Sequence, residues 1–385
     1  MDPAVAPRVP VLASRALLAS HDASSLAALI AERTRGADRG AGGPRTAAAK
    51  ALRHVFSTSS RALAPPWDDP TLAGLGVGAW ARPVLLGLDA APSLAIAEEA
   101  PAADDTIRLV LRARDGALVE TVIIPGPNRT TLCVSSQVGC ARACTFCETG
   151  RLGLTRQLEA GEIVDQVRIA RAVHARGGGA PPLQNLVFMG MGEPFDNLGE
   201  VTRAIRLLTD PRAFGFAPKR VTVSTVGVAS ALDAFFRDCR AELAVSLNAP
   251  DDARRSAIMP VNRRVPLAAM RAALVRSLPR GCRVLFEYVL FDGFNDAAGD
   301  ADLLAAFVAG IACRVNVIPA NPGPEPSLRP PPPERLDAFV ARLTALGVTA
   351  LVRRPRGRDV GGACGQLAGA LRAIDARCSP LAPLG

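Results

Sequence analysis

Lysine is nearly missing from this chain: among 385 residues it occurs only at Lys50 and Lys219, although Lys and Arg together number 45. With heavy use of Ala, Gly and Pro, that balance reads as a high-GC coding bias. The net charge of +9 suits a polyanionic partner, but charge alone leaves nucleic-acid binding and a plain basic surface both open. Also missing is any uninterrupted apolar run of roughly 18 residues, the length that suggests a membrane helix. No signal peptide opens the chain. The expectation is a cytoplasmic protein with no membrane partner. In that reducing compartment the nine cysteines are not a disulfide scaffold. Four of them, Cys133, Cys140, Cys144 and Cys147, fall within fifteen residues, and such clustering points to metal or redox chemistry.

The length allows one large α/β domain and a smaller unit. Residues 1 to about 100 read as a helical accessory region, with helices over Val11–Arg33 and Ala47–Phe56 around a Gly-rich stretch. Pro65–Pro70 and Ala90–Asp104 read as linkers. From Ile107 the texture changes. Ile107–Ala113 and Leu118–Ile124 are β-rich and join through Arg114-Asp115-Gly116, a hairpin signal. Strands are then expected at Thr131–Ser135, Asn185–Met189, Val221–Thr225, Leu243–Leu247, Val284–Leu290, Arg314–Ile318 and Thr349–Val352. Helices fill most of the gaps between them. This alternation predicts a parallel sheet with helices outside, either a barrel or a doubly wound sheet.

Cys140-x-x-x-Cys144-x-x-Cys147 follows the Thr131–Ser135 strand. Cubane iron–sulfur clusters are held by thiolates, usually four. Three in one loop leave an iron open to chelate the amino and carboxylate groups of S-adenosylmethionine. One electron delivered to the sulfonium then yields a 5′-deoxyadenosyl radical. Phe146 would pack beside the adenine of that cofactor. The competing reading is zinc, which favours paired C-x-x-C ligands completed by further Cys or His. The nearest histidine, His174, falls in an expected helix, and Cys133 lies seven residues upstream on a strand.

Polar residues gather just past the carboxyl ends of the expected strands, where βα barrels build their sites. Met189-Gly190-Met191-Gly192-Glu193-Pro194 follows one of them, and Glu193 can accept the ammonium of a methionine moiety. Ser224, then Ser246-Leu247-Asn248, then Asn321 close three more. They could hold carboxylate, ribose and adenine, although strand-end Ser and Asn are often turn or cap residues.

Two further thiols raise a chemical possibility. Carbon 2 of adenine is electron-poor and does not attack a sulfonium methyl directly. A protein thiolate can take the methyl first; after radical addition to the ring, a second thiol can release the carbon by forming a disulfide. A general base must remove the ring proton. Cys133 lies just ahead of the triad, and Cys364 sits in Gly361-Gly362-Ala363-Cys364-Gly365-Gln366. Glu120 shares a strand face with Leu118, Val122 and Ile124, where burial would raise its pKa. A small residue in a tight turn, for Cys364, and an exposed strand position, for Glu120, are the plainer readings. Cys239, Cys282, Cys313 and Cys378 read as structural or incidental.

Thr131–Cys140, Met189–Pro194 and Ala363-Cys364-Gly365-Gln366-Leu367-Ala368-Gly369 together resemble the RlmN/Cfr family of radical S-adenosylmethionine RNA methyltransferases, over residues 107–375. The resemblance implies a partial (β/α) barrel of the radical SAM type, spanning 101–375, after a helical domain of 1–100 and before a tail of 376–385. It implies methylation of an adenosine ring carbon, carbon 2 in the RlmN branch, in ribosomal RNA and in some members transfer RNA. It assigns Cys140, Cys144 and Cys147 to a 4Fe–4S cluster. Gly192, Glu193, Ser224, Ser246, Leu247, Asn248 and Asn321 would contact S-adenosylmethionine. Cys364 would carry the methyl, Cys133 would be its disulfide partner and Glu120 the proton acceptor. A one-electron donor such as flavodoxin or ferredoxin is a further implied partner. Two departures stand out: the family has His after Ser-Leu where this chain has Asn248, and the first hundred residues differ from its usual amino-terminal domain. Two other readings remain: a radical enzyme acting on another RNA position or a small molecule, and an RNA-binding protein with structural zinc.

Overall fold

The structure, a computed structural model, describes residues 18–35, 37, 42–57, 68–178, 181–369 and 371. The start of the first expected helix, the 376–385 tail and Cys378 lie outside them. Four short helices open the described chain: α1 (Ala23–Arg33), α2 (Pro44–Leu52), α3 (Asp69–Gly74) and α4 (Arg82–Leu86). α1 begins at Ala23 because the Asp22 carboxylate accepts the backbone N–H groups of Ser24 and Ser25 and caps the helix there.

The strands are β1 (Leu94–Pro101), β2 (Ile107–Ala113), β3 (Leu118–Pro125), β4 (Thr130–Cys133), β5 (Gln137–Cys140), β6 (Gly153–Gln157), β7 (Leu183–Phe188), β8 (Val221–Thr225), β9 (Glu242–Ser246), β10 (Val284–Leu290), β11 (Cys313–Pro319) and β12 (Ala350–Val352). Ten of them form one sheet in the order β1-β2-β3-β4-β7-β8-β9-β10-β11-β12, and β5 and β6 form a separate pair. Within that ten-stranded sheet the first four strands run antiparallel and from β4 onward every pairing is parallel, whereas β5 and β6 pair antiparallel. Each parallel strand lies beside its predecessor. A doubly wound sheet reverses strand order at a switch point, so this continuous winding selects the barrel of the two architectures. It is partial: among the described residues β12 pairs with β11 alone.

β1 corrects the sequence reading, which took this stretch as part of a linker. Its Ala-Glu-Glu-Ala composition hides a strand whose side chains alternate inward and outward beside β2. The helices that cover the sheet include α6 (Ala160–Arg176), α7 (Leu198–Thr209), α8 (Leu232–Asp238), α9 (Asp252–Ile258), α10 (Leu267–Ser277), α11 (Ala298–Val308) and α12 (Pro333–Ala345), after the one-turn α5 (Glu148–Arg151). α6 starts at a reciprocal cap between Glu159 and Glu162. The accessory helices share the main hydrophobic core with the barrel: Phe56 stacks on Phe214 with centroids 5.2 Å apart, and the Arg168 guanidinium lies over Phe56. Among the described residues no helix is long and apolar enough to cross a membrane.

Candidate active site

The triad does not hang from a plain loop. Cys140 ends β5, Cys147 precedes α5, and Cys144 lies between them, packed into a small core with Ile258, Met259 and Phe291. Gly139 has φ 78°, and a Cβ there would stand 1.9 Å from the carbonyl oxygen of Gly153, so the β5–β6 hairpin closes only over glycine. Thr145 N–H donates to the Ile258 carbonyl at 3.0 Å. Phe146 leans on Phe291, centroids 5.6 Å apart.

The Met189–Pro194 segment packs onto the approach to this hairpin. The N–H groups of Ser136 and Gln137 both donate to the Met191 carbonyl, at 2.8 and 3.2 Å. A Cβ on Gly192, whose φ is 101°, would stand 2.6 Å from Gln137. Glu193 is buried and doubly engaged: Oε1 accepts from Phe195 N–H and Oε2 from Val226 N–H, each at 2.9 Å. Burial pushes its carboxyl up to about 7 against those hydrogen bonds. It thus ties the strand ends of β7 and β8 together and faces the cavity.

One cavity gathers Cys140, Cys144, Cys147, Gly192, Glu193, Ser224, Ser246, Asn248, Asn321 and Cys364. Ser224 and Ser246 face each other across adjacent strands, Oγ to Oγ 3.4 Å. Asn248 takes a left-handed backbone, φ 59°, with Oδ1 accepting from Val289 N–H at 3.0 Å. Asn and His are both among the few residues enriched in that conformation, so Asn in place of His preserves the turn. Leu247 does not join the cavity: its side chain is buried in the core and its carbonyl accepts from Arg255.

Cys364 is held over the triad by the loop that carries it. Glu148 N–H donates to the Gly365 carbonyl at 2.8 Å, and the Thr149 hydroxyl to the Leu367 carbonyl at 2.9 Å. A second cavity, of about 420 Å³, takes in both Cys364 and Cys133. Burial, then the nearness of Cys364, pushes the Cys133 thiol up to about 12. Glu120 lies elsewhere, in a third cavity beside Gln366 and Gly369. It is fully buried, paired with Arg108 (which also binds Glu98), and accepts the Ala368 N–H. Burial raises its carboxyl above the ordinary range, as the sequence led one to expect.

The Radical SAM superfamily model matches residues 134–304. A probable RNA methyltransferase of Sorangium cellulosum (strain So ce56) is 72% identical over 358 residues, 93% of this chain and 89% of that protein. The dual-specificity RNA methyltransferase RlmN of Anaeromyxobacter dehalogenans is 49% identical over 71% of this chain and 74% of its own length. The crystal structure of a radical SAM methyltransferase from Sphaerobacter thermophilus superposes with a TM-score of 0.79 at 39% identity, covering 92% of this chain and 99% of that one. The chain belongs to the RlmN family of radical SAM RNA methyltransferases. It is an RNA-methylating enzyme, and the family implies use of a 4Fe–4S cluster and S-adenosylmethionine.

The donor set fits the cluster of an RlmN-family enzyme. Among the described residues no three His, Cys, Asp or Glu groups converge on a single metal-ion position. A cubane spreads its ligated irons apart and asks for no such convergence. Burial pushes the Cys140 thiol up to about 12 and raises Cys144 and Cys147 as well; a coordinated cation reverses this by deprotonating the thiols it binds.

Three site residues escaped the sequence reading. Arg255, almost fully buried, donates to the carbonyls of Leu247, Val226 and Ser246 and to Asn262 Oδ1, clamping the ends of β8 and β9. Arg353, just past β12, lines both cavities, and its guanidinium is raised above its ordinary value, the nearness of Cys364 and then of Glu287 and Cys133 outweighing burial. Glu287 lies within β10, buried, 3.7 Å from Arg353. The strand-end logic that found Ser224 reaches Arg353 equally well, and a lone acid in Val284–Leu290 flags Glu287.

Proposed function

We propose that this chain methylates carbon 2 of an adenosine in RNA, ribosomal RNA foremost and transfer RNA in addition, with Cys364 carrying the carbon. The observation that supports this most directly is that Cys364 lines both the cavity of the triad and the cavity of Cys133. When bound on Cys140, Cys144 and Cys147, the cluster with S-adenosylmethionine supplies the methyl group and a hydrogen-abstracting radical.

The chain's own residues do the rest. Glu193 orients the ammonium of the cofactor; Ser224, Ser246, Asn248 and Asn321 address its other polar groups, with Gly192 contributing backbone. Cys364 Sγ takes the methyl and later bears the carbon joined to the base. Glu120 accepts the ring proton, and the adduct gives back the one electron that was borrowed to start the radical, which closes its shell. Cys133 Sγ then attacks Cys364 Sγ: a disulfide forms, and the sulfur–carbon bond breaks with its electron pair going to carbon, which takes a proton. An outside thiol reductant resets the pair. Flavodoxin or ferredoxin serves as electron donor, and the cytoplasm is where both donor and RNA are available.

Replacing Cys133 by Ala tests the scheme. RNA should remain covalently attached to Cys364, seen as a protein–RNA species by electrophoresis and mass spectrometry. No adduct, with turnover unchanged, would count against it.

A further inference from the structure

Glu287 is a carboxylate inside the barrel whose binding capacity is half used. On the sheet it lies level with Ser246 of β9 and Asn316 of β11, forming a polar row across the three strands. Oε1 accepts from Asn316 Nδ2 at 3.0 Å. Oε2 is buried without a hydrogen-bond partner, 3.7 Å from the Arg353 guanidinium. Leaving such an oxygen without a hydrogen bond is costly in a buried site, and a donor-bearing ligand removes that cost. Glu287 lines the cavity shared by Cys133 and Cys364. That cavity, about 420 Å³, is in the range of small-ligand sites, roughly 300–1,000 Å³. Lys219 and Arg354 are exposed along its wall, with Arg220 beside them, placing positive charge where a nucleotide's phosphates approach.

We propose that Glu287 reads the exocyclic amine of the target adenine in the cavity between Cys133 and Cys364, as the specificity-determining residue of the methylation. This rests on the reading of the chain as an adenine methyltransferase. On adenine, carbon 2 and the amine share one edge, separated by ring nitrogen 1. A base that turns carbon 2 toward Cys364 therefore presents its amine along the same wall. The amine donates, as a carboxylate requires; guanine carries an acceptor oxygen at that position, which Glu287 repels. Asn316 fixes the carboxylate plane by holding Oε1.

The test uses holoenzyme and an RNA fragment containing the adenosine that nucleoside mass spectrometry shows to be methylated. Synthetic versions carry adenosine, purine riboside (no exocyclic group) or inosine (6-oxo) at that position. Wild type is expected to favour adenosine over purine riboside by roughly tenfold or more in kcat/KM. Glu287→Gln, which puts a donor where the acceptor was, is expected to lose that preference and to gain on inosine relative to adenosine. A residue that only supported Arg353 would lower all three rates together. Wild type discriminating less than twofold between adenosine and purine riboside overturns the proposal without any variant, as does an unchanged preference in a folded, cluster-containing Glu287→Gln. If wild type methylates no adenine, the functional reading itself fails and this inference with it.

Discussion

Asn321 donates through Nδ2 to the carbonyl of Cys364 at 3.0 Å, while its Oδ1 accepts from Arg358. A residue expected to touch the cofactor thus also holds the loop that bears the proposed methyl carrier. The proposed cofactor contact and the clamp on the thiol loop would meet in one amide.

Asn321→Ala removes that clamp. A neutral hydrogen bond contributes about 1 kcal/mol, so methylation of Cys364 with RNA omitted should slow roughly fivefold. Time-resolved mass spectrometry of the Cys364 peptide measures it. An unchanged rate with weakened cofactor binding would confine Asn321 to the cofactor.

Gly139 and Gly153 make a matched pair on the hairpin that carries Cys140. Both have positive φ, 78° and 70°, but a Cβ at Gly139 meets Gly153 O at 1.9 Å and one at Gly153 meets nothing within 4 Å. Gly139→Ala should therefore yield protein largely without iron, whereas Gly153→Ala should cost only about 1–2 kcal/mol for the left-handed backbone and keep its cluster. Iron analysis after anaerobic reconstitution separates them.

Beside its buried ion pair with Arg108, Glu120 has two further employments, accepting a ring proton and anchoring Ala368. Glu120→Gln retains a carbonyl oxygen for the Ala368 N–H but is not a base. The expected result is normal methylation of Cys364 with methylated RNA reduced at least a hundredfold, in keeping with loss of a general base. Loss of Cys364 methylation as well would make anchoring the dominant contribution.

Asp104 fastens the β1–β2 turn to the segment leading into the Cys364 loop. It accepts from Arg356 Nε at 2.6 Å and from Gly357 N–H at 3.1 Å. Burial opposes ionisation, but hydrogen bonds from Thr106, Gly357 and Arg356 outweigh it and hold the carboxyl at about 2, below its ordinary 3.8. A depressed carboxylate stabilises the fold above its ordinary value, and the contribution drains away as pH falls through the folded one. The stability gap between wild type and Asp104→Asn should be open at neutral pH and close between about pH 4 and pH 2, as denaturant midpoints would show.

Much of the cavity lining could be read from the chain because barrel strands end where chemistry begins: Ser224 and Ser246 close β-rich runs, and the cysteine triad, Glu193 and Asn321 follow them. What stayed hidden depends on partners remote in sequence. β1 is a strand only because β2 offers a hydrogen-bonding edge; its own Ala-Glu-Glu-Ala run shows no apolar face. The β5–β6 hairpin rests on a glycine contact between residues fourteen apart. Arg255 sits among Asp-Asp-Ala-Arg-Arg, which reads as a solvated helix, yet four oxygens from three other segments enclose it. Leu247 shows the opposite error, a side chain taken for a contact that faces the core.

The two bonds from Glu148 and Thr149 to residues 365 and 367 button the carboxyl-terminal loop onto the residues that directly follow Cys147. Chain freed by an empty, slack triad should therefore be cut near Cys364 by added protease, and loading with iron and sulfide should shield it. Limited digestion becomes a gauge of how much of a preparation is metallated, read without turning over any substrate.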